Sequence, residues 1–165
     1  MKRFFKYLSL VLICFCFLPI GALASGKHPS NTDVLYREII RTVVEVDFKA
    51  MAEAYHPDAV LVTAKQSMPI NIVMKRWKKE GEKFQKEGGT AILSFRFSDR
   101  KLSETTAFET GIFRYSSIDK YGVVKTMYSH FQDLNVKKNG RWLTVMEHQQ
   151  NLSSEAEWDA LPEWN

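Results

Sequence analysis

Residues 47–61, DFKAMAEAYHPDAVL, contain a helix start, a helix end and the beginning of a strand in quick succession. Asp47 is a short carboxylate that can accept hydrogen bonds from the first free backbone N–H groups of a helix. One side of that helix is apolar and carries Phe48, Met51, Ala52 and Tyr55. His56-Pro57 ends it, because proline disfavours helical backbone in the preceding residue. The β-branched run at 59–63 then predicts a strand.

Two longer helices flank this stretch. Upstream, Leu35, Ile39 and Val43 recur at helical spacing, which predicts one apolar face. Downstream, Pro69 suits the first turn of a third helix, which Gly88-Gly89 ends. The apolar stripe of this third helix comprises Ile70, Val73, Met74, Trp77, Gly81 and Phe84. Its lysine-rich opposite side is interpreted as a solvated face.

From residue 91 the apolar period changes from helical to two, which is typical of strands. Strands are predicted at about 91–97, 105–115, 123–136 and 142–148. Asn139-Gly140 favours a tight hairpin turn between the last two strands. Helices therefore come first and an antiparallel meander follows, with one early strand among the helices. This order predicts an α+β fold.

Several segments together resemble a known family. Residues 47–61 resemble the short-helix, "Tyr-x-x-Asp-Ala-Val" entry of the nuclear transport factor 2-like superfamily, in its SnoaL-like and ketosteroid-isomerase-like branches. Residues 131–134 and 138–142, followed by His148, are similar to the family's final hairpin. The resemblance spans residues 31–152. It implies a cone-shaped half-barrel, in which a strongly bent antiparallel sheet wraps around N-terminal helices. It also implies a pocket at the open end and a homodimer through the sheet's outer face.

The same resemblance does not transfer the activity of the ketosteroid isomerases. Their proton-shuttling carboxylate follows the Asp-Ala-Val segment, and an ungapped count from Asp58 places Thr63 there. Their oxyanion-donating tyrosine on the first helix corresponds to Ile39. Threonine cannot act as a carboxylate base and isoleucine cannot donate a hydrogen bond, so that isomerase chemistry is rejected.

The N-terminus is predicted to be a signal peptide over residues 1–24. Three basic residues precede an apolar run at 8–18, and small residues occupy positions 22 and 24. The apolar run is shorter than the ~20 residues that span a bilayer. Cleavage after Ala24 leaves no stable membrane anchor, so the predicted location is periplasmic or secreted. A flexible stub at 25–30, the domain at 31–152 and a C-terminal tail at 153–165 follow.

Removal of this leader changes the bulk properties of the chain. The formal charge of +4 falls to +1, because the leader carries three basic residues and no acidic ones. A nearly neutral chain argues against a nucleic-acid partner. Both cysteines leave with the leader, so the mature chain is cysteine-free. The histidines are scattered without metal-ligand spacing, and neither a metal nor a cofactor is predicted.

Asp133 and His148 are the candidate catalytic residues, should the protein be an enzyme. Asp133 follows Phe131 by two on a predicted central strand, so both side chains share a face. A carboxyl group in an apolar cavity has a raised pKa, which suits a general base or a ligand anchor. The alternative is that Asp133 pairs with a lysine or arginine near the mouth. His148 is expected to share a face with Trp142, Thr144 and Met146 and to approach Asp133; otherwise it is a hydrogen-bonded rim residue.

His130 is expected on the opposite face from Asp133, with Tyr128 and Gln132, on the outer surface that a dimer contact would use. The predicted ligand pocket comprises Tyr55, Trp77, Phe113, Met127, Phe131, Asp133 and Met146. Its partner would be a small, partly apolar molecule. One alternative is a pocket enzyme of isomerase, dehydratase or cyclase type with Asp133 as general base. Another is a protein-interaction module that uses the outer sheet face and the tail, where Trp158, Leu161 and Trp164 are spaced for docking.

Overall fold

The computed structural model describes residues 32–164; the predicted signal peptide and stub lie outside them. The helices are α1 (Asp33–Glu45), α2 (Phe48–Glu53), α3 (Ile70–Lys86) and α4 (Glu155–Ala160). The strands are β1 (Tyr55–Thr63), β2 (Ser67–Pro69), β3 (Thr90–Leu102), β4 (Thr106–Ile118), β5 (Val124–Lys138) and β6 (Arg141–Ser153). None of the helices within residues 32–164 combines the length and apolarity that a membrane span requires.

The six strands form one mixed sheet in the order β2-β1-β6-β5-β4-β3. Strands β3 to β6 are an antiparallel meander, as predicted, and β2 is antiparallel to β1. Strand β1 is parallel to β6, with Tyr55 opposite Thr144 and Val60 opposite Met146. The α+β class is confirmed, and the sheet is mixed rather than wholly antiparallel.

The prediction of a helix capped by Asp47 and followed by a strand is confirmed, but Tyr55 is not on the helix and His56-Pro57 does not end it. The Asp47 side chain accepts a hydrogen bond from the Ala50 N–H at 3.1 Å, which caps α2. Helix α2 ends at Glu53, and β1 begins at Tyr55 rather than at residue 59. The pairing of β1 with β6 is irregular between Tyr55 and Val60. His56 and Pro57 therefore lie in a part of β1 where the regular pairing with β6 is interrupted. The short strand β2 lies between β1 and α3.

The backbones of β3 and β4 approach each other closely where the sheet bends. The β3–β4 register shifts between Phe97 and Asp99, and Gly111 lies opposite Phe97. A Cβ atom at Gly111 would lie 2.1 Å from the backbone oxygen of Arg96, so only glycine fits there. Bulges of this kind bend a strand and increase its twist. The inner face of the sheet packs against α1 and α3, and the buried rings of Tyr36, Phe95 and Phe131 lie between them.

The C-terminal tail packs onto its own domain. Ser154 caps α4 through a capping box with Glu157. Trp158 is 4% exposed, and the guanidinium carbons of Arg96 and Arg114 lie 4.6 and 5.1 Å from its ring centre. Trp164 donates from Nε1 to Asp33 at 3.3 Å and also contacts the Tyr36 ring. The aromatic residues predicted to dock therefore do so within the chain.

Candidate ligand-binding site

A cavity of about 600 Å³ lies between the helices and the inner face of the sheet. Helices α1, α2 and α3 and strands β3 to β6 all contribute to its wall, which is mostly apolar. Six residues of the predicted pocket line it: Tyr55, Trp77, Phe113, Met127, Phe131 and Asp133. Met146 does not line it. A cavity of this size and polarity is typical of small-molecule sites.

Asp133 lies on β5 and faces the cavity, 4% exposed. The hydroxyl of Tyr36, from α1, donates to its Oδ2 atom at 3.0 Å. Its Oδ1 atom is buried and has no hydrogen-bond partner among the described residues. The predicted alternative, a salt bridge to lysine or arginine, is not what the structure shows. Asp133 is held by a neutral hydroxyl and keeps one acceptor atom without a donor.

The residue next to Asp133 across the strands is Glu147, which the sequence analysis missed. Glu147 also lines the cavity. The Tyr55 hydroxyl donates to Glu147 Oε2 at 2.6 Å, and the Gln149 side-chain amide donates to Oε1 at 2.7 Å. Asp133 and Glu147, the carboxyl pair hereafter, form the polar floor of an otherwise apolar cavity.

A β-bulge explains why Glu147 rather than Met146 accompanies Asp133. The β5–β6 register shifts between Leu134 and Asn135, where Asn135 pairs with Thr144 and Leu134 pairs with Met146. Val145 is the extra residue on β6. One inserted residue reverses which side chains point inward along the rest of the strand. A regular hairpin from the turn would have paired Met146 with Asp133.

The same bulge makes the prediction for His148 wrong. His148 pairs with Gln132, and its Nδ1 atom lies 3.2 Å from the Gln132 side-chain oxygen, on the face opposite Asp133. A His148–Asp133 pair therefore does not form.

His130 and Tyr128 lie on that outer face as expected, but they contact α4: His130 lies 3.6 Å from Glu157. Within residues 32–164, no three His, Cys, Asp or Glu side chains are grouped as a metal site.

A second buried carboxylate, Glu109 on β4, lies deeper in the fold and is paired. Arg100 donates from Nε to Glu109 Oε1 at 2.6 Å, and its Nη1 atom lies 2.7 Å from Asp33 Oδ1. Asn135 donates to Glu109 Oε2 at 2.8 Å and to the Tyr36 hydroxyl at 3.3 Å. Hydrogen bonds thus run from Arg100 through Glu109, Asn135 and Tyr36 to Asp133. This network fixes the position of the Asp133 side chain.

Burial is the main cause that raises the pKa of Asp133 well above its ordinary value, and the nearby Glu147 raises it further. Burial also raises the pKa of Glu147, while hydrogen bonds from Tyr55 and Gln149 oppose that rise. Two adjacent carboxyl groups titrate as a unit, so these directions belong to the pair. The arrangement favours one shared proton over two separate charges.

This raised pKa predicts how stability depends on pH. The folded state keeps protons on the carboxyl pair at pH values where the unfolded chain, with pKa values of about 4, has lost them. The free energy of unfolding should therefore fall as the pH rises above about 5, by at most about 1.4 kcal/mol per pH unit for each extra proton. Urea unfolding between pH 5 and 8 measures this slope, and Asp133→Asn should flatten it.

The control for the pH experiment is Asp58→Asn, because the Asp58 side chain is 91% exposed. It should keep the wild-type slope. The carboxyl groups with lowered pKa values, such as Glu38 and Glu157, act in the opposite sense. Their contribution is complete above the unfolded pKa and is lost only as the pH falls below it. A slope that is equal in wild type and Asp133→Asn would contradict the prediction.

With the fold and cavity in place, comparison with solved structures identifies the architecture. A nuclear transport factor 2-like protein of unknown function from Shewanella oneidensis is 19% identical, with a TM-score of 0.59 over 73% of this chain and 97% of that one. A nuclear transport factor 2-like superfamily protein from Salmonella enterica is 9% identical, with a TM-score of 0.57 over 76% of this chain and 92% of that one. A ketosteroid isomerase-like protein from Erwinia carotovora is 14% identical, with a TM-score of 0.54 over 78% and 99%.

The chain has the nuclear transport factor 2-like fold. The resemblance that residues 47–61 and the last hairpin indicated is confirmed at the level of fold. No protein-family model matches the chain, and comparison with curated proteins found no match. At these identities the likeness concerns architecture, so the function has to be argued from the cavity itself.

Proposed function

We propose that the protein binds a small, partly apolar molecule in the cavity above the carboxyl pair. The observation that carries the proposal is Asp133 Oδ1, a buried acceptor on a cavity-lining residue to which no residue between 32 and 164 donates. Leaving a buried polar atom without a partner costs about 1–3 kcal/mol. A ligand hydroxyl or amine would supply the missing donor, and the aromatic wall would bind its apolar part.

Export and dimerisation belong to the same proposal. The sequence of residues 1–24 supports export to the periplasm or medium, and the resemblance to the nuclear transport factor 2-like family supports a homodimer through the outer sheet face. Native mass spectrometry of the protein purified from its own host tests the dimer and the ligand together. It would report the number of subunits and the mass of any molecule that remains bound.

A second candidate function, acid–base catalysis in the same cavity, is favoured by Glu147. The structure removes His148 as the partner of Asp133, but it supplies a second carboxyl group instead. A pair that shares one proton offers a base and an acid at one place. Any molecule that co-purifies with the protein is then a substrate candidate, and its conversion would establish the reaction.

The third candidate, an interaction module built on the tail, has less support. Trp158 is buried against its own sheet, and Trp164 contacts Tyr36 and Phe97. These side chains are therefore occupied within the chain. A partner would have to displace them, which would expose part of the core.

Filling the cavity should abolish binding of an apolar probe. Ala91 lines the cavity, whereas its neighbour Ile92 is 46% exposed on the outer face. Ala91→Phe should weaken the binding of N-phenyl-1-naphthylamine at least about ten-fold, because ten-fold corresponds to only 1.4 kcal/mol of lost contact. The fluorescence of the probe on titration with protein measures this.

The matched control for this titration is Ile92→Phe, which adds the same ring outside the cavity and should bind the probe as wild type does. Ser117 lies opposite Ala91 and also lines the cavity, so Ser117→Phe is a second filling variant. Circular dichroism confirms that each variant folds. Unchanged probe binding in both filling variants would contradict the proposal.

A further inference from the structure

The charges that line the cavity are all of one sign. Three of its lining residues are ionisable acids: Asp133, Glu147 and Glu80, the last from α3. No lysine, arginine or histidine lines it among the described residues. This contrasts with the outer side of α3, where Lys78 and Lys83 are exposed. The cavity wall therefore has a negative bias that the surface of the domain does not share.

The contacts of the carboxyl pair do not neutralise that bias. Its hydrogen-bond donors are the hydroxyls of Tyr36 and Tyr55 and the amide of Gln149, all uncharged. Arg100, the cation nearest in the network, makes its ion pairs with Glu109 and Asp33. Whatever negative charge the pair holds thus faces the cavity without a countercharge.

The remaining acceptor has a definite chemical requirement. Asp133 Oδ1 has no donor among the described residues, and a carboxyl pair with one shared proton still carries one negative charge. That charge favours a charged donor, because charge-assisted hydrogen bonds are roughly twice as strong as neutral ones. An anionic ligand would bring a third acidic group against two others and would be repelled. The aromatic rings of Trp77, Phe113 and Tyr115 line the same space and are attractive to cations as well as to apolar groups.

We infer that the ligand of this cavity is an organic amine, with an ammonium group against the carboxyl pair and an apolar or aromatic body against the wall. The inference rests on the proposed function, that the cavity binds a small molecule, and adds the class of that molecule. It assigns Glu147 the role of an anchor for the ammonium group, a role that the sequence alone did not indicate. It also gives Tyr36 and Tyr55 the role of positioning the two carboxyl groups.

Three compounds with one ring system and different charges test this inference. Isothermal titration calorimetry at pH 7.5 compares 1-naphthylmethylamine, 1-naphthalenemethanol and 1-naphthoate. The amine should bind at least about ten-fold more tightly than the alcohol, and the naphthoate should bind most weakly. In Asp133→Asn and in Glu147→Gln, the ratio of the amine affinity to the alcohol affinity should fall to about three-fold or less, because the amide keeps an acceptor oxygen but removes the charge.

Glu82→Gln is the matched control, because Glu82 is on α3 but pairs with Lys78 outside the cavity. It should keep the full preference for the amine. Equal binding of the three compounds, or tightest binding of the naphthoate, would overturn the inference and leave the binding proposal in place. If neither these compounds nor N-phenyl-1-naphthylamine binds, the proposed function fails too. Retention of the amine preference in both carboxyl variants would overturn the assignment of the carboxyl pair.

Discussion

Arg100→Met is expected to lower the free energy of unfolding by about 3–5 kcal/mol. Glu109 is fully buried, and Arg100 is the cation that pairs with it, at 2.6 Å. Arg100 also pairs with Asp33 and lies 4.1 Å from the centre of the Phe97 ring. Methionine retains much of the contact with Phe97 but leaves a buried carboxylate without a countercharge. Urea unfolding at pH 7 measures the loss.

A double-mutant cycle separates the ion pair from the rest of this effect. Glu109→Gln keeps the shape of the side chain and removes its charge. In the Arg100→Met/Glu109→Gln double variant, the decrease in the free energy of unfolding should be smaller than the sum of the two single decreases by more than about 1 kcal/mol. The reason is that the double variant contains no buried charge that has lost its partner in this pair. Strict additivity would show that the two side chains do not interact in solution.

The second large effect is expected at Trp158. Trp158→Ala should lower the free energy of unfolding by about 3–5 kcal/mol, since the indole is 4% exposed and its loss leaves a cavity. Arg96 and Arg114 both contact its ring, so their guanidinium groups would lose a common aromatic partner. The Arg96 guanidinium also donates to the Trp158 backbone oxygen at 2.7 Å, and this bond anchors α4.

Two comparisons make the Trp158 result specific. Trp158→Phe should lower the free energy of unfolding by less than Trp158→Ala does, because an aromatic ring remains in contact with both guanidinium groups. Tyr121→Ala removes an aromatic ring of which 79% is exposed and should change stability by less than about 0.5 kcal/mol. Thermal unfolding followed by circular dichroism measures all three. A Trp158→Ala variant as stable as Tyr121→Ala would mean that the tail does not pack as described.

Much of the fold could be predicted because its local patterns agree with its tertiary structure. The turn at Asn139-Gly140 has positive φ at both residues, 52° and 78°, as a tight hairpin requires. The capping role of Asp47 and the inward position of Asp133 also depend on short-range pattern. Glycine at 111 is a different case, because the reason for it is a backbone oxygen on β3 that no local pattern reveals.

The part of the site that could not be predicted depends on one residue. The apolar residues of β6 do not alternate regularly, since Trp142 and Leu143 are adjacent and so are Val145 and Met146, and the bulge at Val145 has no distinctive composition. Counting from the turn therefore assigned the wrong face to Met146 and His148 and concealed Glu147. The parallel pairing of β1 with β6 was equally inaccessible, because it joins segments from opposite ends of the domain.

The strand order has a consequence for how the chain is made. Strand β6 lies between β1 and β5, so the last strand to be synthesised is the one that joins the two parts of the sheet. Until residues 141–153 emerge from the ribosome, β1 and β2 have no connection to the meander. Pairings between such distant segments form slowly. The domain therefore completes its structure only after β6 has been synthesised, and a nascent chain truncated before β6 has no closed core.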